Sequence, residues 1–160
     1  MTQKSLIINN LEFAKSQLKL DDSLDVSQLL RLTEMLANAD KTSVKFQLIG
    51  ASKRFSQPSL QLTVKANLVM TCQRCLDEMH VNLDLNFDYL IDSAKINEAE
   101  DIDEIDWLEA NHEMDVGELI EDELLLAMPI APTHAHDCSK LSTQSGEKPN
   151  PFAALKGLIK

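Results

Sequence analysis

Glycine is scarce in this chain. Its 160 residues hold only four, Gly50, Gly117, Gly146 and Gly157. None lie close enough together to build a loop that wraps a phosphate, so both common nucleotide-binding fingerprints are excluded. The sequence also lacks a serine nucleophile elbow and a His-Glu-x-x-His helix. Carboxylates abound, but they sit in polar runs where water keeps neighbours ionised. A general acid needs a carboxyl perturbed by burial. These absences point away from an enzyme and from a small-molecule substrate. No apolar run approaches the roughly 20 residues that span a bilayer. The opening Met1-Thr2-Gln3-Lys4-Ser5-Leu6-Ile7-Ile8-Asn9-Asn10 is too short in apolar residues for a secretory signal. The three cysteines are an odd number, which fits a reducing compartment better than a disulfide framework. The expected location is the cytoplasm.

Positive charge is missing from one long stretch. Between Ile96 and Ser139 there are 14 Asp and Glu and no Lys or Arg. The chain has 26 acids and 15 bases in all, so the remainder carries 12 acids against 15 bases. The net charge of −11 therefore hides a mildly basic part and a strongly acidic one. One part can face an anionic partner and the other a cationic one. Acid runs also serve simply to keep a protein in solution.

The clearest pattern is a hairpin from Leu60 to Ile91. Leu60, Leu62, Val64, Ala66, Leu68, Met70 and Cys72 share one face, and Gln61, Thr63, Lys65, Asn67 and Thr71 share the other. Val69 is the apolar exception on the polar side. After the tip, Met79, Val81, Leu83, Leu85, Phe87, Tyr89 and Ile91 alternate with His80, Asn82, Asp84, Asn86, Asp88 and Asp92. A period of two means a sheet with one buried and one wet face, and a one-residue slip would exchange them.

Around this hairpin the chain predicts further elements. Residues 1–10 suit a short strand, and Leu11–Leu18 a weak helix. Asp21–Asp25 suits a turn, and Val26–Ala37 a clearer helix capped by Asp25 or Ser27. Ser43–Ala51 reads as a strand with Val44, Phe46 and Leu48 inward, and Lys53–Pro58 as a loop. Asp92–Asp103 reads as an acidic mobile loop. Trp107 is expected to pin the following segment to the sheet. Asp115 and Glu118 have the spacing of a capping box, with a helix running on to Pro129. Its last turn, with Leu125, Leu126 and Met128, should be well buried. Asn150-Pro151 opens a last short helix with Phe152, Leu155 and Lys156. The expected fold class is α+β: an antiparallel β-meander or small barrel, closed by the N-terminal strand, covered by helices and followed by a short C-terminal helical tail. Residues 1–140 are expected to form one domain with an acidic loop near 92–112, and 141–160 a tail with a short basic amphipathic helix.

Cys72-Gln73-Arg74-Cys75 at the hairpin tip is the best candidate site. Two thiolates two residues apart in a turn can grip one tetrahedral zinc ion. Cys138 can supply a third ligand, and His134 or His136 a fourth. The competing reading is that Cys72 fills the sheet end as a small apolar residue and Cys75 is a plain turn thiol. A thioredoxin-like redox pair fits less well, because such a pair opens a helix. Arg74, with Lys53, Arg54 and Lys65, makes a thin basic patch that can touch phosphate. Seven aromatic residues in the whole chain leave little to stack bases.

Several ordered pieces resemble the YceD family, the large ribosomal RNA subunit accumulation proteins. They are Cys72-Gln73-Arg74-Cys75, the run Glu121-Asp122-Glu123-Leu124-Leu125-Leu126-Ala127-Met128-Pro129 with Pro132 and His134, then Cys138, and Lys148-Pro149-Asn150-Pro151-Phe152-Ala153. The resemblance implies a non-catalytic role in synthesis, processing or stability of 23S ribosomal RNA. It implies as partner a large-subunit ribosomal protein, precursor 23S ribosomal RNA, or both. Arg74, Lys53, Arg54 and Lys65 would touch RNA, and Phe152 and Lys156 would dock. Glu98, Glu100, Asp101 and Asp103 would hold a basic ribosomal protein. Other branches of the family carry more cysteines, whereas this chain offers only histidines beside its three. The alternative is a small zinc-ribbon-like binding module of other purpose.

Overall fold

A computed structural model describes residues 6–53, 57–92 and 106–139. Its core is the expected hairpin. Strand β4 (Gln57–Thr71) pairs antiparallel with β5 (Glu78–Asp92), with Leu62 opposite Phe87 and Ala66 opposite Leu83. Strand β3 (Ser43–Lys53) lies on the other side of β4. Val44, Phe46, Leu48, Leu60, Leu62, Val64, Ala66, Leu68 and Met70 are all buried on one face. The alternation thus set the register as expected: only this register buries the apolar set.

Strand β1 (Ile7–Ile8) does not close the sheet into a barrel. It pairs with the two-residue β7 (Met114–Asp115) in a separate small sheet. The edge beyond β3 is taken by β2 (Lys19–Leu24), where a turn over Asp21–Asp25 was expected. Polar residues disguise this strand. Its inward row is Leu20, Asp22 and Leu24, and an edge strand needs little apolar content. The fifth strand, β6 (Asp106–Glu109), runs parallel to the end of β5, giving the order β2-β3-β4-β5-β6. Trp107 does sit on the sheet edge opposite Leu90, but it is 40% exposed. Its neighbour Leu108 packs against the core.

Among the described residues three short helices cover the apolar face. Helix α1 (Asn10–Lys15) is capped by Asn9, whose side chain accepts the Glu12 N–H. It lies so close to β3 that a Cβ on Gly50 would overlap the Phe13 carbonyl oxygen and stand 2.9 Å from Ala14 Cα. The expected helix over Val26–Ala37 is broken. A single 3-10 turn, Val26–Gln28, is capped by Asp25 as expected. Helix α2 (Leu30–Met35) follows, and its first residue, Leu30, faces solvent. Helix α3 (Val116–Ala127) begins at Asp115, whose carboxylate accepts from Gly117 and Glu118. It ends where Met128 adopts the extended conformation imposed by Pro129. Met128 is buried, but Leu126 is 82% exposed, so the last turn is only half covered.

Helix α2 has no cap of its own, because Leu29 stands at its N-cap. Glu121 supplies one from α3. Its Oε1 accepts the Leu32 N–H at 3.0 Å, and its Oε2 accepts from Arg31 Nε at 2.9 Å. A carboxylate at a helix N-terminus meets unpaired N–H groups and the positive end of the helix dipole. Glu121 is itself buried against this helix end. Glu121→Ala is expected to cost about 2 kcal/mol, and Glu121→Gln, which keeps the acceptor, about half of that. Urea unfolding midpoints measure both. Equal losses for Ala and Gln would contradict the capping role.

Candidate metal centre

The hairpin tip is a four-residue turn over Gln73–Leu76. Leu76 N–H donates to the Cys72 carbonyl at 2.9 Å, and Cys72 N–H to the Asp77 carbonyl at 3.0 Å. Leu76 closes the turn in the left-handed region, at φ 64°. Leucine rarely adopts it, so the turn carries backbone strain. This geometry turns both sulfurs to the same side. The segment after α3 then folds back onto the turn, and Gln73 N–H donates to the Pro132 carbonyl at 2.8 Å.

That contact delivers His134 and Cys138 to the cysteine pair. One ligand atom from each of Cys72, Cys75, His134 and Cys138 lies within 4.8 Å of the others. Cys72 Sγ stands 3.6 Å from Cys138 Sγ, and Cys75 Sγ 3.4 Å from His134 Nδ1. Tetrahedral zinc with usual bond lengths needs edges of about 3.8 Å between sulfurs and about 3.6 Å between sulfur and nitrogen. All three cysteines are free thiols, so no disulfide competes. The cluster could therefore hold a metal such as zinc. Of the two histidines considered for the fourth position, His134 reaches the cluster. His136 is exposed, and its ring leans on that of His134 at 4.9 Å.

The surroundings already favour charge on one of the sulfurs, that of Cys72. Burial pushes the Cys72 thiol up, but the backbone N–H groups of Cys75, Arg74 and His134, helped by Cys138, outweigh it and bring it to about 5. At Cys75 the Asp77 N–H pulls down. Burial and the neighbouring Cys138 and Cys72 sulfurs override it and push it up to about 11. A second thiolate beside the first is thus opposed unless a cation joins them. A bound dication reverses that opposition, because coordination deprotonates thiols outright.

Arg74 is not a free tip residue. Its Nη2 donates to the carbonyls of His134 at 2.5 Å and His136 at 3.2 Å, and Nη1 lies 3.9 Å from Asp137. It clamps the ligand-bearing loop from outside. The sequence offered no signal for this role, since the bonds run to backbone 60 residues away. Arg74→Ala is expected to weaken metal binding about tenfold, as loss of a group that orients ligands does. Competition with a colorimetric chelator measures it. Unchanged affinity would leave the clamp without consequence for the metal.

The remaining nominated residues are scattered. Lys65 stands on the exposed face, opposite Lys45 on β3, and pairs with Asp84 at 3.3 Å. Lys53 ends β3 opposite Gln57. Arg54, Glu98, Glu100, Asp101, Asp103, Phe152 and Lys156 lie outside the described residues, as do most of the acidic loop and the tail after residue 139. Among the described residues no helix is long and apolar enough to cross a membrane.

Comparison with known proteins covers this region. A family model described as large ribosomal RNA subunit accumulation protein YceD matches residues 60–159, from β4 through the metal cluster. The large ribosomal RNA subunit accumulation protein YceD of Haemophilus influenzae is similar to the chain, at 28% identity over 169 residues. The alignment covers 96% of this chain and 94% of that protein. No solved structure matches.

Proposed function

Since the chain belongs to the YceD family, we propose that it is a non-catalytic factor of large-subunit biogenesis that sustains 23S ribosomal RNA in the cytoplasm. The family match over residues 60–159 carries this reading. The direct partner is a basic large-subunit ribosomal protein, and precursor RNA is reached through it. Two features support protein over RNA as the direct contact. The stretch from Ile96 to Ser139 holds 14 acids and no base. Two cations nominated for phosphate, Arg74 and Lys65, are engaged within the chain. An acidic surface speeds capture of a basic protein and repels stray RNA.

The metal in this reading is zinc, and its role is structural. Four protein groups fill a tetrahedral site and leave no position for substrate. Zinc fixes the loop after α3 to the hairpin tip, so the acidic helix and the sheet present one rigid surface.

A tagged pull-down from growing cells, split and half treated with ribonuclease, tests the partner. A large-subunit ribosomal protein should stay bound in both halves. If all ribosomal proteins leave with the RNA, contact is RNA-mediated and the protein reading fails.

A further inference from the structure

A groove of about 480 Å³ lies between α2 and the segment that follows α3. Met70 and Met128, both buried, form its floor. Met35 walls it on one side, and Leu125 and Ile130 on the other. Met35 and Ile130 are exposed, so large apolar side chains stand in water at the rim. Three of the chain's six methionines line this one groove. Methionine is unbranched and polarizable, so it moulds itself to an incoming ring or branched side chain.

Charge narrows the choice of occupant. Glu34 is the one charged residue among those lining the groove, and its carboxylate has no hydrogen bond or ion pair among the described residues. Arg31, the base of α2, is taken up by Glu121 and Asp122. From Ile96 to Ser139 the sequence brings no Lys or Arg. The groove therefore suits an amphipathic segment that carries positive charge.

The chain itself holds such a segment. Phe152, Leu155 and Ile159 are spaced i, i+3 and i+7, one stripe of the helix that Asn150-Pro151 is expected to open. Lys156 and Lys160 flank the stripe, and residues 140–160 carry four lysines against one acid, Glu147. The point of attachment agrees. The described chain ends at Ser139. Cys138 before it approaches Cys72, sulfur to sulfur, at 3.6 Å, and Gln73, next to Cys72, borders the groove. The roughly 13 residues from Ser139 to Phe152 can span up to about 45 Å, ample for a return to the groove. A tether this short holds its end at a roughly millimolar effective concentration. The tail of a second copy, in dilute solution, competes poorly with that. A helix this short is marginal alone in water, so it needs the groove in order to form.

We propose that residues 151–159 dock in this groove of their own chain as an amphipathic helix. Phe152 and Leu155 would seat among Met35, Met128 and Ile130, and Lys156 would stand beside Glu34. Docking would remove from water apolar side chains that otherwise face it. It gives Phe152 and Lys156 a partner within the chain rather than on the ribosome. The proposal is independent of the protein-capture reading.

The test uses the full-length chain with labelled methionine methyl groups, observed by NMR. Joint Phe152→Asp and Leu155→Asp substitution should shift the signals of Met35, Met70 and Met128 and leave those of Met79 and Met114 in place. A synthetic peptide of residues 148–160, added to that variant, should return the three signals with a Kd below about 1 mM. The unaltered chain should bind the same peptide about tenfold more weakly, because its resident tail competes. Adding Met35→Asp and Ile130→Asp to the tail variant, at two exposed positions, should weaken the peptide about tenfold, read at Met70 and Met128. Glu34→Lys should weaken it too. Methionine signals that ignore the tail substitutions would overturn the proposal and leave the groove to a partner. Equal binding of the peptide to the tail variant and the unaltered chain, or binding to neither, would overturn it as well. So would signals of the unaltered chain that vary with its concentration, since a second copy's tail would then fill the groove.

Discussion

Replacing Cys138 by serine is expected to strip zinc from the chain while leaving the hairpin folded. Cys138 is only partly buried and lies after the last helix, outside the apolar core. Its sulfur approaches Cys72 at 3.6 Å and completes the ligand set. Structural zinc sites bind with apparent free energies of about 10–16 kcal/mol at neutral pH, and they bind only when every thiolate is in place. Losing one of three thiolates should lower zinc affinity by roughly three orders of magnitude. Protein purified without a histidine tag should carry one zinc per chain by elemental analysis, and the Cys138→Ser protein essentially none. Chelation of the unaltered protein should loosen the loop over residues 130–139 and leave β4 and β5 intact. Equal zinc content in both proteins would remove Cys138 from the site. Absence of metal from both would return the cysteines to their alternative reading as an apolar sheet end and a turn thiol.

A second large effect is expected at Gly50. Alanine there puts a methyl group into the Phe13 carbonyl oxygen and 2.9 Å from Ala14 Cα. Both obstacles are backbone, so no rotamer change relieves the overlap. Either α1 lifts away from β3 or the strand bends. The Gly50 N–H also donates to the Leu18 carbonyl at 2.8 Å, which holds the strand in place from the other side. Overpacking of this kind costs about 3 kcal/mol, a large part of a domain's stability. Urea unfolding of Gly50→Ala against the unaltered chain measures it. A loss below about 0.5 kcal/mol would mean that α1 rides loosely on the sheet.

These two sites show unequally what the residues alone disclose. The hairpin was legible because two long runs alternate in matching register, and burial enforces that register. The cysteine pair was legible because its spacing has a chemical reason. His134 and Cys138 were nominated as ligands, and the structure brings both to the pair. Gly50, by contrast, looked like one more scarce glycine. A glycine inside a strand signals close approach of another backbone, but what approaches is set by tertiary packing. Strand β2 was hidden for a related reason. Lys19-Leu20-Asp21-Asp22-Ser23-Leu24 carries the composition of a turn, and only the neighbouring β3 makes it a strand. The break before α2 was invisible because Leu29 and Leu30 are equally apolar in sequence. In the fold one is buried and the other 71% exposed. Arg74 is exposed at the tip as expected, but its hydrogen bonds run to backbone carbonyls far along the chain, which spacing alone does not disclose.

We propose that this chain sustains 23S ribosomal RNA without itself being a catalyst. The measurement that reaches it most directly is the ratio of 23S to 16S ribosomal RNA in cells deprived of the chain, with the gene then restored. The ratio is expected to fall on removal and to recover with the unaltered gene, but only in part with the Cys138→Ser gene. An unchanged ratio after complete removal would contradict it.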